Sequence, residues 1–160
     1  MSLTEREDIE AVTTAQQIIN ALALHPHPEG GWFREVWREP AADGGRERAS
    51  SIHFLLAPGE RSHWHRIDAA ELWIYQAGHP LILRLAAEAP GGGAEIIEHR
   101  LGPDVLGGEQ LQVLVRPGQW QAAHAVDGWG LVACVVAPAF EFSGFELAPR
   151  DWEPQVTQGS

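Results

Sequence analysis

From Gly31 onward the chain is cut into short segments rich in Trp, Phe, Val, Ile and Leu. Each is closed by glycine or proline: Pro40 to Gly45, Pro58-Gly59, Gly78 to Pro80, Pro90 to Gly93, Gly102 to Gly108, Pro117-Gly118 and Asp127-Gly128. Punctuation at such intervals suits strands and leaves no room for helices of ordinary length. "LILRLAAEAPGGGAEIIEHRL" reads as a hairpin about a glycine-rich turn. Its "PGGGA" is a loop and not a phosphate cradle, because no helix follows it. About eight to ten strands are expected, arranged as an antiparallel sandwich or barrel. Only Thr13 to Leu24 breaks the pattern, with Ala15, Ile18, Ile19, Leu22 and Ala23 forming one helical stripe that "HPHPEGG" stops. Thr4 and Glu7 have the spacing of a capping box before it. The expected fold is all-β with one N-terminal helix. A single domain spans residues 1–160, with its core at about 15–150 and loose ends at about 1–12 and 153–160.

Composition narrows the function. Hydrophobic residues make up 44% and charged residues 21%, a globular balance, and no apolar run approaches the roughly 18 residues of a membrane span. All 11 basic residues are arginine, against 22 acidic ones, for a net charge of −11. Without lysine there is no Schiff-base chemistry, no P-loop and no lysine base. The acidic field opposes nucleic acid and anionic membrane, which leaves small molecules or a second copy of the chain as expected partners. The polar, acidic stretch "MSLTEREDIEAVTTAQQ" lacks the basic and apolar regions of a secretory signal, so the expected location is cytoplasmic. Cys134, within "GLVACVVAP", is expected to be a buried, inert thiol.

The densest chemistry lies in "SHWHRIDAAELWIYQAG", Ser62 to Gly78. Residues two apart on a strand share a face, so His63 and His65 are expected to project together. "RIDAA" turns the chain, and a return strand from Ala70 would set Glu71, Trp73 and Tyr75 on one face, with the Glu71 carboxylate beside both imidazoles. Two histidines and a carboxylate on one concave face suit an open site for a divalent transition metal. In a chain of this composition a His-x-His pair arises by chance about 0.4 times, but the added Glu and Gly spacings lower the expectation to about 0.004. The second pair, His25 and His27, sits in a proline turn and reads as a helix stop. Gln121, three residues past Gly118 in "RPGQWQ", can offer its carbonyl as a further, neutral ligand.

The pattern His-x-His, five residues, Glu, six residues, Gly resembles the first cupin motif, and "RPGQWQ" stands where the second motif would be. "HPHPEGGWFREVWRE", "SSIHFLLAPGERSHWHRIDAAELWIYQAG" and "VLVRPGQWQAA" with "WGLVACVVAPAFEFSGFELA" are similar to Cupin-5, a small family of unknown function, and the likeness runs from about Ala15 to Leu147. The resemblance implies a double-stranded β-helix, a small jelly-roll barrel, often dimeric, with a ligand pocket in its mouth. It places His63, His65 and Glu71 at metal-ligand positions and Gln121 where the second motif has a histidine.

Around that centre, Trp73 and Trp120 are candidates to line the pocket, Tyr75 to donate a proton, and His53 and His124 to reach the mouth from neighbouring strands. "GGWFREVWRE" alternates, which sets Phe33, Glu35 and Trp37 opposite Trp32, Arg34, Val36 and Arg38, with Arg34 or Glu35 as a ligand contact. The leading expectation is a small-molecule enzyme, of isomerase, lyase or oxygenase type, with one divalent ion (Fe, Mn, Ni or Zn) acting as a Lewis acid. A metal-free enzyme resembling sugar epimerases, with His63 or His65 as base and Tyr75 as acid, is a second. A non-enzymatic module binding a sugar- or nucleobase-like ligand is a third. A homodimer is expected throughout.

Overall fold

The computed structural model describes residues 12–88 and 92–156, so the Thr4–Glu7 capping box lies outside the described residues. Helix α1 (Ala15–Leu22) is opened by a different capping box: Gln17 N–H donates to Thr14 Oγ1 and Thr14 N–H to Gln17 Oε1. Ala23, at φ 53°, ends it. Its apolar stripe, with Ile19 buried, lies on Leu55 and Leu131, so the helix covers one patch of sheet and stays clear of the barrel interior.

The strands are β1 (His25–Pro26), β2 (Trp32–Glu39), β3 (Ala49–Leu56), β4 (Arg61–Ile67), β5 (Ala70–Gly78), β6 (Leu81–Glu88), β7 (Ala94–Leu101), β8 (Gln112–Val115), β9 (Trp120–Ala125), β10 (Gly130–Ala137) and β11 (Phe145–Leu147). They form a six-stranded sheet in the order β1-β2-β3-β10-β5-β8 and a five-stranded sheet in the order β11-β4-β9-β6-β7. Every strand pair is antiparallel. The expected β6–β7 hairpin is present, Leu81 facing Leu101 through to Glu88 facing Ala94. The main core, with Phe54, Leu56, Trp73, Leu83, Leu101 and Val132, fills one end of the space between the sheets. A cavity with a polar floor opens at the other. Among the described residues no helix is long and apolar enough to cross a membrane.

Consecutive strands β4 and β5 belong to different sheets. Glu71 therefore faces His65 across the barrel instead of lying beside it on a paired return strand. The alternation along β4 also breaks. Ser62 pairs with Ala123 and His65 with Gln121, so three steps on β4 match two on β9, which makes a β-bulge. Ser62 and His65 point inward while His63 and Trp64 both face outward. A second bulge, between Glu35 and Trp37, makes Val36 the extra residue of β2, so Glu35 and Arg38 both face inward and the expected strict alternation there fails.

Two glycines hold the β1–β2 turn against these strands. A Cβ on Gly30 (φ +105°) would lie 2.3 Å from the Arg61 carbonyl, and one on Gly31 (φ +78°) 2.8 Å from the Phe54 and Leu56 side chains. Only glycine permits that approach. The N–H of His63, freed by the bulge, donates to the Glu29 carbonyl at 2.8 Å.

Candidate functional site

The cavity has a volume of about 400 Å³. Its polar floor is built by β4, β5 and the β1–β2 turn. Its walls are largely aromatic: Phe33 from β2, then Phe140, Phe142 and Phe145 from the segment after β10, packed edge to face at centroid distances of 4.9–6.1 Å. Arg46 pins that segment by donating to the Ala139 carbonyl and to both oxygens of Asp68.

On the floor, His65 is buried and both of its ring nitrogens meet acceptors. Nδ1 lies 2.7 Å from the His63 carbonyl and Nε2 2.8 Å from Glu29 Oε2. Two acceptors require two N–H groups, so the ring is an imidazolium. Burial alone would lower its pKa, but the Glu29 charge and hydrogen bond, helped by Glu71 and the His63 carbonyl, push it up to about 9. Burial works against the Glu29 charge as well, and there too the His65 partner prevails, holding the carboxyl below its ordinary range. Ser62 faces Glu29 without a well-aligned hydrogen bond. His27 completes the group. The Glu29 N–H donates to its Nδ1, which marks that nitrogen as unprotonated, and burial lowers its pKa. Its 3.8 Å approach to the Glu29 carboxylate is therefore not an ion pair at neutral pH.

Glu71 stands opposite. Its Oε1 accepts from Gln121 Nε2 at 2.7 Å and from Trp73 Nε1 at 3.3 Å, while Gln121 Oε1 accepts from Trp73 Nε1 at 2.8 Å. These bonds tie the two sheets together. Oε2 takes no side-chain hydrogen bond among the described residues, and the residue lines the cavity. Burial pushes the Glu71 carboxyl up to about 7, against the pull of His65. The register extends this row: Val136 pairs with Glu71 on one side and with Ser50 on the other, and Ser50 with Arg38. Two strand spacings put Glu71 and Ser50 about 10 Å apart on one inner face. Ser50 Oγ accepts the Phe140 N–H, leaving its own proton for a ligand. Arg38 is saturated by Glu35, Glu47 and the Phe140 carbonyl.

Of the residues singled out in the sequence, His65, Glu71, Gln121, Trp73 and Glu35 come together here. His63 does not, because the bulge turns it outward, where its Nε2 meets the Pro149 carbonyl at 2.9 Å. Tyr75 is only partly buried, donating to the Gly78 carbonyl at the end of β5, and is not part of the cavity wall. Arg34 and His53 pair with each other in register but on the opposite face from Glu35 and Ile52. Trp120 belongs to an outer cluster with Trp64 and Trp152, and His124 lines a separate outer cavity. Cys134 is buried as expected, and burial raises its thiol well above the ordinary value. His27 and Glu29, expected to be no more than a helix stop, supply half of the polar floor. The signal that marked them was Gly30-Gly31, a pair that demands close backbone contact at that point.

These residues do not fit a metal ion. His63 is outside the barrel, both His65 nitrogens carry protons, and Gln121 gives its carbonyl to Trp73 and its amide to Glu71. Among the described residues no three His, Cys, Asp or Glu side chains converge on a metal-sized space.

The comparisons agree with the architecture. The profile of Cupin_5, described as Cupin superfamily (DUF985), matches residues 16–148. Protein SO0799 from Shewanella oneidensis has 39% identity and a TM-score of 0.76, covering 86% of this chain and 85% of that one. Uncharacterized protein YML079W of Saccharomyces cerevisiae is 27% identical over 154 residues, 83% of this chain and 74% of that protein. Oxalate decarboxylase from Bacillus subtilis, at 19% identity and a TM-score of 0.53, covers 78% of this chain and 30% of its own, and shares the fold alone.

Proposed function

The chain belongs to the Cupin_5 family of the cupin superfamily, and within that barrel we propose a metal-free proton-transfer site for a compact, uncharged or cationic molecule with a flat apolar body. The observation that carries this reading is the pairing on the cavity floor. His65 is held as a cation by two acceptors, and opposite it, lining the cavity, stands a carboxylate with one oxygen bonded and the other without a side-chain hydrogen bond among the described residues. Glu71, at about 7, gives up or takes a proton near neutral pH, as general acid–base work requires. Ser50 donates to the ligand's oxygen. The His65–Glu29 pair supplies fixed charge beneath the reacting group, without spending a lone pair on it.

Charge and shape support the substrate class. The cavity holds the carboxylates Glu29, Glu35, Glu71 and Glu141 against the cations His65 and Arg38, and that Arg38 is already bonded to three acceptors. Such a surplus repels dianions and favours neutral or cationic rings stacked among the phenylalanines. A structure of the Bacillus subtilis oxalate decarboxylase concerns its Mn(II) centres. The bonds of His65 to Glu29 and of Gln121 to Glu71 and Trp73 argue against carrying that chemistry over.

The test is solvent exchange. A panel of enolisable carbonyl compounds is incubated with the protein in deuterated water and followed by NMR, before and after chelation, with Glu71→Gln in parallel. Exchange should survive the chelator and fall by about a hundredfold or more in Glu71→Gln. Exchange abolished by chelation and restored by metal, or untouched by Glu71→Gln, would overturn the reading. A binding-only module is the second reading, favoured by the saturation of both His65 nitrogens within the protein; it predicts thermal stabilisation by a ligand with no exchange. We also propose a homodimer. Val135, Leu72 and Leu114 form an outward row across β10, β5 and β8, and Leu114 is 48% exposed. Light scattering reads the dimer directly, and Leu114→Arg should shift it toward monomer.

A further inference from the structure

We propose that the outer face of the five-stranded sheet carries a second site, for the phosphate monoester of a small polyol. Its frame is the part of β4 that the bulge turns away from the barrel. Arg61 of β4 sits opposite His124 of β9, His124 opposite Ile82 of β6, and Arg84 follows two residues on, across from Ala122. Arg61, His63, His124 and Arg84 therefore share one face. The chain leaving β11 crosses above them, tied down by Ala148 N–H to the Trp64 carbonyl and by His63 Nε2 to the Pro149 carbonyl. It brings Arg150 and Trp152 over the same space. The result is a cavity of about 610 Å³ with three guanidinium groups in its walls.

The state of those arginines suits an anionic ligand. In a chain of net charge −11, Arg61 and Arg150 make no ion pair and no side-chain hydrogen bond among the described residues. Arg84 Nε is buried without a hydrogen-bond partner, and Glu98, at 3.4 Å, is misaligned for one. The Arg84 guanidinium sits over Trp64, 5.3 Å from the ring centroid, a cation–π contact that holds it beside the cavity. Three planar donor groups match a tetrahedral oxyanion, which guanidinium binds through paired hydrogen bonds. The same cavity also contains Asp151 and Glu153, neither of them paired with an arginine. Bare phosphate would be repelled there, whereas hydroxyl groups would donate to them. Trp152, on the same wall, offers a face for the apolar side of a sugar ring.

Isothermal titration calorimetry of the full chain at low salt, in a phosphate-free buffer, tests this with glucose 6-phosphate, inorganic phosphate and glucose. Glucose 6-phosphate should bind, inorganic phosphate more weakly, and glucose not at all, with affinity falling as salt is added. Arg61→Gln and Arg150→Gln remove side chains that hold nothing else in the fold, so their thermal unfolding should match the parent. Each should loosen glucose 6-phosphate by about tenfold or more, the loss of a charge-assisted hydrogen bond. No binding of glucose 6-phosphate, or binding undiminished in both variants, would overturn the site. Equal affinity for inorganic phosphate would overturn the polyol recognition.

Discussion

Glu29→Gln tests the polar floor most directly. The substitution keeps the side chain's shape and removes its charge, leaving the His65 imidazolium buried at 3% side-chain exposure with an amide where its carboxylate stood 2.8 Å away. The distance between the ordinary 6.5 and about 9 corresponds to about 3 kcal/mol, at about 1.4 kcal/mol per tenfold. Removing one partner of a buried pair costs about 3–5 kcal/mol by independent reasoning. At about 2–4 °C per kcal/mol for a chain of this size, the melting temperature should fall by about 6–20 °C. The loss depends on pH. His65's folded pKa lies above its unfolded one, so the stability it contributes is whole below about 6.5 and gone above about 9. Urea unfolding followed by tryptophan fluorescence should therefore give the full deficit near pH 6 and a much smaller one near pH 9.5. A deficit below about 1 kcal/mol near pH 6, or one equal at both pH values, would refute an ionic His65–Glu29 pair.

The wild-type protein should itself lose stability between about pH 5 and pH 9, because Glu71 and His65 both bind protons more tightly folded than unfolded; thermal scans rising across that range would contradict this. Glu29, shifted the other way, should make stability fall again in stronger acid. Gly78→Ala should cost at least about 2 kcal/mol, since φ is +81° and the new Cβ would meet the Trp129 carbonyl at 2.4 Å. Gly59→Ala, at φ +77° in open space, should cost only about 1 kcal/mol; equal losses by chemical denaturation would show that the contact plays no part. His63→Ala should cost about 1 kcal/mol, the worth of its bond to Pro149. It should leave ligand binding in the barrel unchanged in a titration, whereas loss of that binding would return His63 to the inner site.

Much of the fold was legible in glycine, proline and alternation. The β6–β7 hairpin, the single helix and the two-sheet class all follow from local rules, because turns need particular residues and strands a period of two. What escaped was set by tertiary contact. The bulges at Val36 and between Ser62 and His65 leave no mark on composition, since either neighbour can fill the extra position. A one-residue slip moves every later side chain to the other face. Nor does local sequence reveal that β4 and β5 lie in different sheets. Glu71 still came near His65 because a narrow sandwich brings opposite walls within reach, so the expected neighbour was right and the expected geometry wrong.

The same slip explains why a stretch with metal-site spacing ends as an ion pair. Without the bulge, His63 and His65 would face inward together, two neutral donors requiring a cation. With it, the His63 N–H is left over and takes the Glu29 carbonyl. That bond draws the β1–β2 turn onto β4 and aims the Glu29 carboxylate at His65. One imidazole has been exchanged for one carboxylate, and the charge of the site changes with it. His65 now needs two protons to satisfy two acceptors, so the positive charge is carried by the ring itself. Glu71, which would otherwise face that cation as a ligand, shares it with Glu29 and is left under-compensated in a buried position. A buried carboxylate in that position raises its pKa, and about 7 is the outcome. The raised Glu71 pKa is thus a consequence of the bulge on β4, across the barrel, and straightening β4 should abolish it. Deleting Trp64 removes the extra residue while leaving His63 outward and His65 inward; the His63 N–H then falls in register with β9, the Glu29 carbonyl loses its donor, and Glu71 should return toward its ordinary value. A carbon-13 titration of the Glu71 carboxyl that stays near 7 in that variant would break the link.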